Sequence, residues 1–427
     1  MEDLIITSEK SEGISDDELK KALQKSLNEH KGSLKRVLLI PPDFTRLYSG
    51  AGKITGFYYE LLKDSCQIDI MPAIGTHEAM SETEIREFFG EGVPLNCILE
   101  HNWKKEVVKI GVVPGEFVEK VSEGLLNNNI DVEINKHLLD QSYDLIISIG
   151  QVVPHEVVGM ANYSKNILVG CGGSSMINQS HMLGAFYGAE RIMGKDFSPV
   201  RKVFDYAEEK FLQDIPLMYV LTVTTNSGDK TNIHGLFAGR SRRLFETAVK
   251  LSQEKNITFV EKPLKKVVAF LDEREFKTTW VGNKSIYRSR MAIADGGELI
   301  VLAPGVRKFG EDADNDLLIR KYGYIGRKNV LKLCKTEEDL KNNLSAAAHL
   351  IHGSSDGRFS ITYAVKNISK EEIEGANYKY MSYEEACSIY HPENLKDGFN
   401  TLDNGEVIYY ISNPALGLWA SKERFTQ

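Results

Sequence analysis

Side chains suited to acid–base or covalent chemistry stand in loops that each follow an apolar run. The loops are 41–46 (PPDFTR), 75–77 (GTH), 150–165 (GQVVPHEVVGMANYSK) and 170–181 (GCGGSSMINQSH). Histidine suits proton transfer near neutral pH, because its unperturbed pKa is about 6.5. A lysine in a dry loop becomes a nucleophile once burial lowers its pKa. A single imidazole can also complete a metal site whose other ligands come from a cofactor.

Each of these features also has a structural interpretation. Asp43 and Arg46 would equally cap a helix or pair with each other, and a lone histidine such as His77 is often a hydrogen-bonded structural residue. Gly172 and Gly173, followed by two serines, would offer backbone N–H groups to a phosphate. That segment lacks both common glycine-rich phosphate patterns. The case for a functional site therefore rests on the joint presence of the four loops.

The apolar runs before these loops predict buried strands. Segments 36–40, 67–74, 143–149 and 217–224 are rich in β-branched residues and end in proline, glycine or polar residues. Such continuous apolar runs are typical of parallel sheets that are covered on both faces. Since loops after parallel strands converge on one edge, the reactive side chains are expected to lie near one another.

Helical patterns separate the strands. Ser15 and Ser81 are each followed three residues later by glutamate, which predicts capping boxes, and Ser198 precedes a proline at the first helical position. Alternation of strands and helices predicts an α/β layered fold.

A second series of strands is predicted after residue 263, at 266–271, 298–303 and 407–411, with helices beginning at Thr336 and Ser382. We therefore expect two layered α/β domains with mostly parallel sheets, residues 1–262 and 263–427, flanking a central cleft that holds a small-molecule site. The first domain would carry the cofactor attachment and the acid/base residues, and the second would close the cleft. The residues after 414 would be able to pack back on the first domain.

Composition sets outer limits on function. The 427 residues are 42% hydrophobic and 26% charged, which is ordinary for a soluble globular protein. The net charge of −8 argues against a nucleic-acid partner. Five scattered cysteines without a C-x-x-C pair exclude a disulfide scaffold and favour a reducing compartment. The acidic start lacks the pattern of a signal peptide, and no apolar run approaches the roughly 18–20 residues of a membrane span. A cytoplasmic protein without a membrane partner is expected.

Three motifs carry a family resemblance. They are D-F-T-R at 43–46, G-T-H at 75–77 and G-x-V-x-P-H at 150–155, the last followed ten residues later by Lys165 and sixteen after that by His181. In these motifs the sequence resembles the nickel-pincer nucleotide-dependent lactate racemase family. The resemblance covers most of the first predicted domain and is thinner in the second.

The resemblance implies an isomerase that inverts C2 of a 2-hydroxy acid by hydride transfer through a 2-keto acid. Its cofactor would be nickel held by pyridinium-3,5-bisthiocarboxylic acid mononucleotide, made by separate synthesis enzymes. Lys165 would bind this nickel-pincer nucleotide covalently, and His181 would be the protein ligand to nickel. His77 and His155 would be the paired acid and base. The residues implied to line the cofactor are Asp43, Thr45, Arg46 and Tyr287.

The sequence also departs from the family pattern. Glu78 follows His77 where lactate-acting members have arginine. Where they have Tyr-Gln-x-x-Lys, this chain has Arg288 after Tyr287, with Arg290 as a replacement for the lost lysine charge. Together with Arg46, which would hold the substrate carboxylate, these residues are the predicted substrate contacts.

Polar substitutions of this kind favour a substrate larger than lactate, such as a sugar acid of the gluconate or mannonate type. Racemisation of lactate, malate or 2-hydroxyglutarate is an alternative within the same family. A lyase that forms a Schiff base on Lys165 without nickel is another alternative, and a non-catalytic sensor of sugar acids or nucleotides is a third.

Overall fold

The computed structural model describes residues 2–30, 32–227, 230–415 and 417–426, which form two compact units. The first unit comprises Met1–Ser180 and Gly194–Asn256, and the second comprises His181–Met193 and Ile257–Gln427. Each contains a six-stranded, mostly parallel sheet with helices packed against it. The prediction of an α/β fold with mostly parallel sheets is therefore confirmed.

The first unit contains a six-stranded sheet and two short hairpins. Its strands are β1 (Leu4–Thr7), β2 (Arg36–Ile40), β3 (Gln67–Ile70), β4 (Val107–Val113), β5 (Ile130–Asn135), β6 (Leu145–Gln151), β7 (Pro154–His155), β8 (Gly159–Met160), β9 (Leu217–Ser227) and β10 (Lys230–Gly239). The sheet order is β1-β10-β9-β6-β2-β3. Strands β9, β6, β2 and β3 are parallel, whereas β10 and β1 are antiparallel additions. The four predicted strands are present, with ends shifted by a few residues.

The helices up to residue 256 are α1 (Asp16–Ser26), α2 (Ala51–Leu62), α3 (Glu82–Phe89), α4 (Gly115–Val121), α5 (Ser174–Tyr187), α6 (Ala189–Ile192), α7 (Pro199–Phe211) and α8 (Arg242–Asn256). Both predicted capping boxes are formed, because the Ser15 and Ser81 side chains accept from the backbone N–H three residues later and the glutamates bond back. The Ser198 side chain accepts from the N–H of Arg201 at the start of α7. Helix α5 crosses from the first unit into the second at residue 181.

The second unit has its own sheet, in the order β15-β14-β13-β12-β17-β16, in which only the β16 edge is antiparallel. Its strands are β11 (Ile257–Val260), β12 (Leu264–Phe270), β13 (Ile293–Ala303), β14 (Ser360–Val365), β15 (Lys379–Ser382), β16 (Gly398–Thr401), β17 (Val407–Ile411) and β18 (Leu418–Ser421). Strand β18 pairs in parallel with β11, within the same unit.

The helices of the second unit are α9 (Thr279–Gly282), α10 (Lys284–Ser289), α11 (Ala313–Tyr322), α12 (Arg327–Thr336), α13 (Glu338–Asn342), α14 (Leu344–His352), α15 (Lys370–Gly375), α16 (Tyr383–Tyr390) and α17 (Lys422–Thr426). Helix α16 begins after Ser382, as predicted. The prediction that a helix begins at Thr336 is wrong, because Thr336 ends α12 and the next helix is capped by Glu337. Among the helices that the structure describes, none is long and apolar enough to cross a membrane.

Helix α2 lies unusually close to α3, the helix that follows the His77 loop. A Cβ on Gly52 would come within 2.0 Å of the backbone oxygen of Phe88. The same atom on Gly56, one turn later, would lie 2.9 Å from the Phe89 oxygen. Glycine at position 52 is therefore required by the close approach of the two segments.

We expect Gly52→Ala to destabilise the protein by roughly 2–3 kcal/mol, because overpacking against backbone outweighs the better helix propensity of alanine. Gly56→Ala is the graded comparison and should cost less, about 1–2 kcal/mol, because its Cβ would also meet a backbone oxygen but at a longer distance. Urea unfolding monitored by circular dichroism measures both values. Equal stability of the two variants would contradict the packing argument.

Candidate active site

Three neighbouring parallel strands of the first unit end at one edge of its sheet. Strand β2 lies between β6 and β3, and their carboxyl ends lead into the loops that hold Asp43, His77 and His155. Ladder contacts continue past the strands, since Ala73 donates to the Pro41 carbonyl at 2.7 Å. The structure thus places the three predicted loops at the edge where α/β folds bind their ligands.

Asp43 joins two of these loops. One carboxylate oxygen caps the 3₁₀-helix Phe44–Ser49 by accepting from the Thr45 N–H at 3.1 Å and its hydroxyl at 2.5 Å. The other oxygen lies 2.5 Å from Nδ1 of His77. Asp43 is 5% exposed, whereas the His77 side chain is 58% exposed. The carboxylate is therefore an internal anchor and the imidazole faces outward.

This contact fixes the tautomer of His77. Because an ionised carboxylate only accepts, Nδ1 must donate, and Nε2 then has the free lone pair of a general base. Burial raises the pKa of the Asp43 carboxyl, but the His77 hydrogen bond and charge, Thr45 and Arg46 together hold it below its usual value. Asp43 thus stays ionised and would stabilise an imidazolium at His77, a role that the sequence had not assigned to it.

His155 lies in the short hairpin of β7 and β8 and is 6% exposed. Its Nδ1 accepts the Val157 N–H at 3.1 Å, so the neutral ring carries its proton on Nε2. The Glu156 carboxylate lies 3.7 Å from the same Nδ1. His155 is therefore held by its own hairpin, and in its neutral form it presents a donor where His77 presents an acceptor.

Lys165 precedes a π-helical turn, Asn166–Gly170, a form that is often found at functional sites. The Asn166 carboxamide donates to the Ile40 carbonyl at 3.1 Å and to the Ser148 hydroxyl at 3.0 Å. The Gly75 N–H donates to the Gly170 carbonyl at 2.8 Å. These contacts tie the Lys165 turn to β2, to β6 and to the His77 loop.

The Lys165 amine and the Arg46 guanidinium form no hydrogen bond or ion pair with any residue that the structure describes, although both side chains are partly buried. Burial, followed by the charge of Arg46, lowers the pKa of Lys165 to about 8, and Glu156 and Asp43 partly oppose this shift. About a tenth of the amine is therefore unprotonated at pH 7, and about half at pH 8. The unprotonated amine of Lys165 can form a covalent bond, and the guanidinium of Arg46 can hold an anion.

The remaining predicted residues in the first unit are less involved. Glu78 is exposed and has no hydrogen bond or ion pair among the described residues. Gly173 and Ser175 donate their N–H groups to the carbonyl and carboxylate of Glu133, at 3.2 and 3.4 Å. Since a carboxylate of the protein already occupies the start of α5, the structure gives no support to phosphate binding by the paired glycines.

Four predicted residues belong to the second unit. His181 lies on α5 and is partly buried, and Tyr287 is buried on α10. Arg288 is 2% exposed and donates to the Gly417 carbonyl at 3.0 Å. Arg290 donates to Glu190, to the Ser354 carbonyl and to Asp356 at 2.7–3.0 Å. The contacts of Arg290 favour a structural role over the predicted substrate contact.

In the described part of the chain, no three His, Cys, Asp or Glu side chains gather into a metal site. The prediction of one imidazole ligand, His181, does not require such a group.

Residues 5–193 match the family model described as the lactate racemase N-terminal domain. Among solved structures, a Thermotoga maritima protein matches with a TM-score of 0.82 and 23% identity, covering 97% of this chain and 100% of that one. The lactate racemase apoprotein from Thermoanaerobacterium thermosaccharolyticum matches with a TM-score of 0.70 and 18% identity, covering 94% of this chain and 92% of that one. No curated protein matches. At these identities the two structures show the fold alone. Residues 5–193 are thus similar to the lactate racemase N-terminal domain, in agreement with the resemblance that the motifs indicated.

We expect Asp43→Asn to reduce stability by about 1 kcal/mol at pH 7, because asparagine keeps the helix cap but loses the charged hydrogen bond to a mostly exposed His77. The native pKa of Asp43 is lowered, so its contribution is present above the unfolded value and lost as pH falls through the native one. Urea unfolding at pH 7, 5 and 3 measures this. The difference in unfolding free energy between wild type and variant should persist at pH 5 and become smaller at pH 3.

Adding His77→Ala to Asp43→Asn should cause little further loss, since the first change has already broken the pair. The proposed contact would be contradicted if the difference in unfolding free energy grew as the pH fell, or if the two substitutions lowered the stability of the double variant additively.

Proposed function

We propose that this protein is a racemase or epimerase that inverts C2 of a 2-hydroxy acid, with a nickel-pincer pyridinium mononucleotide attached to Lys165. The observation that carries the proposal is the uncommitted Lys165 amine, which has a pKa of about 8 and stands at the same sheet edge as the Asp43–His77 pair and the uncommitted Arg46. The match of residues 5–193 to the lactate racemase N-terminal domain supports the isomerase class. The cofactor would be supplied by separate synthesis enzymes.

The residues present fit the cofactor. A thioamide bond would form by attack of the unprotonated amine on the carbon of a thiocarboxyl group of the cofactor, with the hydroxyl oxygen leaving as water, and part of the Lys165 amine is unprotonated near neutral pH. His181 would contribute an imidazole to nickel, and tetragonal sites with nitrogen ligands suit Ni(II). When bound, the cofactor accepts the C2 hydride and returns it, which avoids a carbanion at a weakly acidic carbon. Tyr287, Asp43 and Thr45 remain predicted cofactor contacts.

The side chains of the chain bind the substrate and move its hydroxyl proton. Arg46 would hold the carboxylate, because a guanidinium fork matches two carboxylate oxygens. His77 would take the hydroxyl proton at Nε2, while Asp43 stabilises the resulting charge. His155 would serve the opposite enantiomer, since its neutral ring carries a proton on Nε2 that it can donate. Two histidines are required because the enantiomers present their hydroxyl groups on different sides of a fixed hydride acceptor.

For the substrate we propose a sugar acid of the gluconate or mannonate type. Glu78, exposed and without a partner among the described residues, supports this choice because a carboxylate beside His77 can accept from additional hydroxyl groups. Arg290 no longer contributes to the argument, since Glu190 and Asp356 engage its guanidinium. Lactate, malate and 2-hydroxyglutarate are the alternatives for a substrate screen.

Lys165→Ala should abolish covalent attachment of the cofactor. Protein coexpressed with the synthesis enzymes is measured by intact-mass spectrometry and peptide mapping, and the wild-type chain should carry a cofactor-sized adduct on Lys165. Lys165→Arg is the matched control, because it keeps a positive charge but has no primary amine to acylate. A persistent adduct on another residue would refute the assignment.

His77→Ala and His155→Ala should each lower the rate of interconversion by about 10²–10⁴-fold, the usual contribution of a general acid or base. The holo-protein is assayed against a panel of 2-hydroxy acids in heavy water, with the product examined by NMR. Hydride transfer predicts inversion with the C2 hydrogen retained. Near-full activity of either variant, or exchange of C2 with deuterium, would contradict the two-histidine scheme. Binding without inversion would favour the sensor.

The lowered pKa of Lys165 also favours a second candidate, a lyase that forms a Schiff base without nickel. Borohydride reduction in the presence of a 2-keto acid distinguishes the two. Substrate-sized mass on Lys165 together with carbon–carbon cleavage supports the lyase, and a cofactor-sized adduct excludes it.

A further inference from the structure

Arg201 is a fully buried arginine in the first turn of α7, and its guanidinium points at the loop before Lys165. It donates to the Ser164 hydroxyl at 3.0 Å and to the carbonyls of Met160 and Asn162 at 2.8 and 3.2 Å. No carboxylate among the described residues lies within ion-pair distance of it, and its Nε has no hydrogen-bond partner there. The Asp205 charge and the Phe245 ring, 4.5 Å from the guanidinium carbon, partly stabilise the buried cation, but without an ion pair its burial stays costly, so packing alone does not explain an arginine at this position.

The loop held by Arg201 has a strained backbone. Asn162 and Tyr163 have φ values of +68° and +57°, in a region that side-chain-bearing residues seldom adopt. The Asn162 carboxamide packs directly on Gly150 of β6, where an added Cβ would come within 1.9 Å of its nitrogen. Two consecutive left-handed residues persist only when their surroundings hold them, and the Arg201 hydrogen bonds do so.

The same turn of α7 fixes the hairpin that contains His155. The Ser198 hydroxyl, which caps α7, also donates to the Val158 carbonyl at 2.8 Å. Beyond Lys165 the Asn166 carboxamide anchors the chain on the sheet. The backbone is therefore held on both sides of Lys165, whereas its amine has no hydrogen-bond or ion-pair partner in the described part of the chain.

We propose that Arg201 is a positioning residue, whose guanidinium holds the 160–164 loop so that the Lys165 amine is presented for covalent attachment to the cofactor's thiocarboxyl group. The inference rests on the proposed function, because attachment at Lys165 is what the positioning serves. Four charged groups act on that amine. Arg46 and Arg201 favour its neutral form, and Glu156 and Asp43 oppose them.

The test uses trace acetylation of the full-length apoprotein across pH 6–11, with modification at Lys165 quantified by mass spectrometry. Exposed Lys328 is the internal reference. In the wild-type chain the labelling of Lys165 should reach half its maximum at a pH near 8. This pH is the Lys165 midpoint. Arg201→Met removes both the clamp and the charge, so the midpoint should rise by one unit or more, and labelling at pH 8 should fall about fivefold or more relative to Lys328. Arg201→Lys keeps the charge without the fork and should fall between the two.

Arg242→Met is the matched control. Arg242 lies over the same Phe245 ring as Arg201 but is paired with Asp196 and Asp205, and it makes no hydrogen bond to the 160–164 loop among the described residues. The Arg242→Met variant should have a lower melting temperature and an unchanged Lys165 midpoint. If Arg201→Met does not fold, Gly150→Ala perturbs the same loop through Asn162 and should also raise the midpoint.

An unchanged midpoint in a folded Arg201→Met or Gly150→Ala variant would overturn the positioning role, as would an equal shift in Arg242→Met. Because the labelling uses apoprotein, this failure is distinct from failure of the proposed function, which appears as a missing cofactor adduct on Lys165.

Discussion

The hydrogen bonds of the Asn166 carboxamide are the constraint on which the first unit's site depends. They reach the last carbonyl of β2 and the Ser148 hydroxyl on β6, and so fix a π turn against two parallel strands at their carboxyl ends. Lys165 lies directly before this turn, and Asp43 lies just past the end of β2. The Lys165 amine, distant in sequence, is thereby placed at the same sheet edge as the Asp43–His77 pair. Since the donor is buried, losing it would leave a strand-end carbonyl unsatisfied.

Elements whose formation depends on local physics were predictable from the sequence. Runs such as 36–40 became buried strands because continuous apolar stretches pack between two layers. The helix starts at Ser15, Ser81 and Ser198 were predictable because a cap is satisfied within three residues of itself. The prediction that a helix begins at Thr336 was wrong. This threonine resembled a cap, but α12 had already begun after Gly326, so Thr336 completes that helix.

The site itself was predictable only as a set of side chains at strand ends. That Asp43 bonds His77 across 34 residues follows from the adjacency of β2 and β3, which spacing along the chain does not reveal. Arg201 was missed because its partners are mainly backbone carbonyls of a distant loop, and a helix-start arginine carries no signal of burial. The contact of Glu133 with the start of α5 was missed for a similar reason, because Glu133 lies on β5, which is distant in sequence.

Buried charged groups that have partners explain the fold of this chain, whereas those without partners among the described residues are the candidates for its chemistry. Arg290 engages two carboxylates and a carbonyl, so its position is explained by folding. Among the described residues, Lys165 and Arg46 have no such partners although both are partly buried, and each repels the other. That repulsion lowers the pKa of Lys165, and loss of its proton leaves Arg46 as the local positive charge for an anion. Acylation of Lys165 would make this neutrality independent of pH, so covalent attachment and carboxylate binding by Arg46 would reinforce one another.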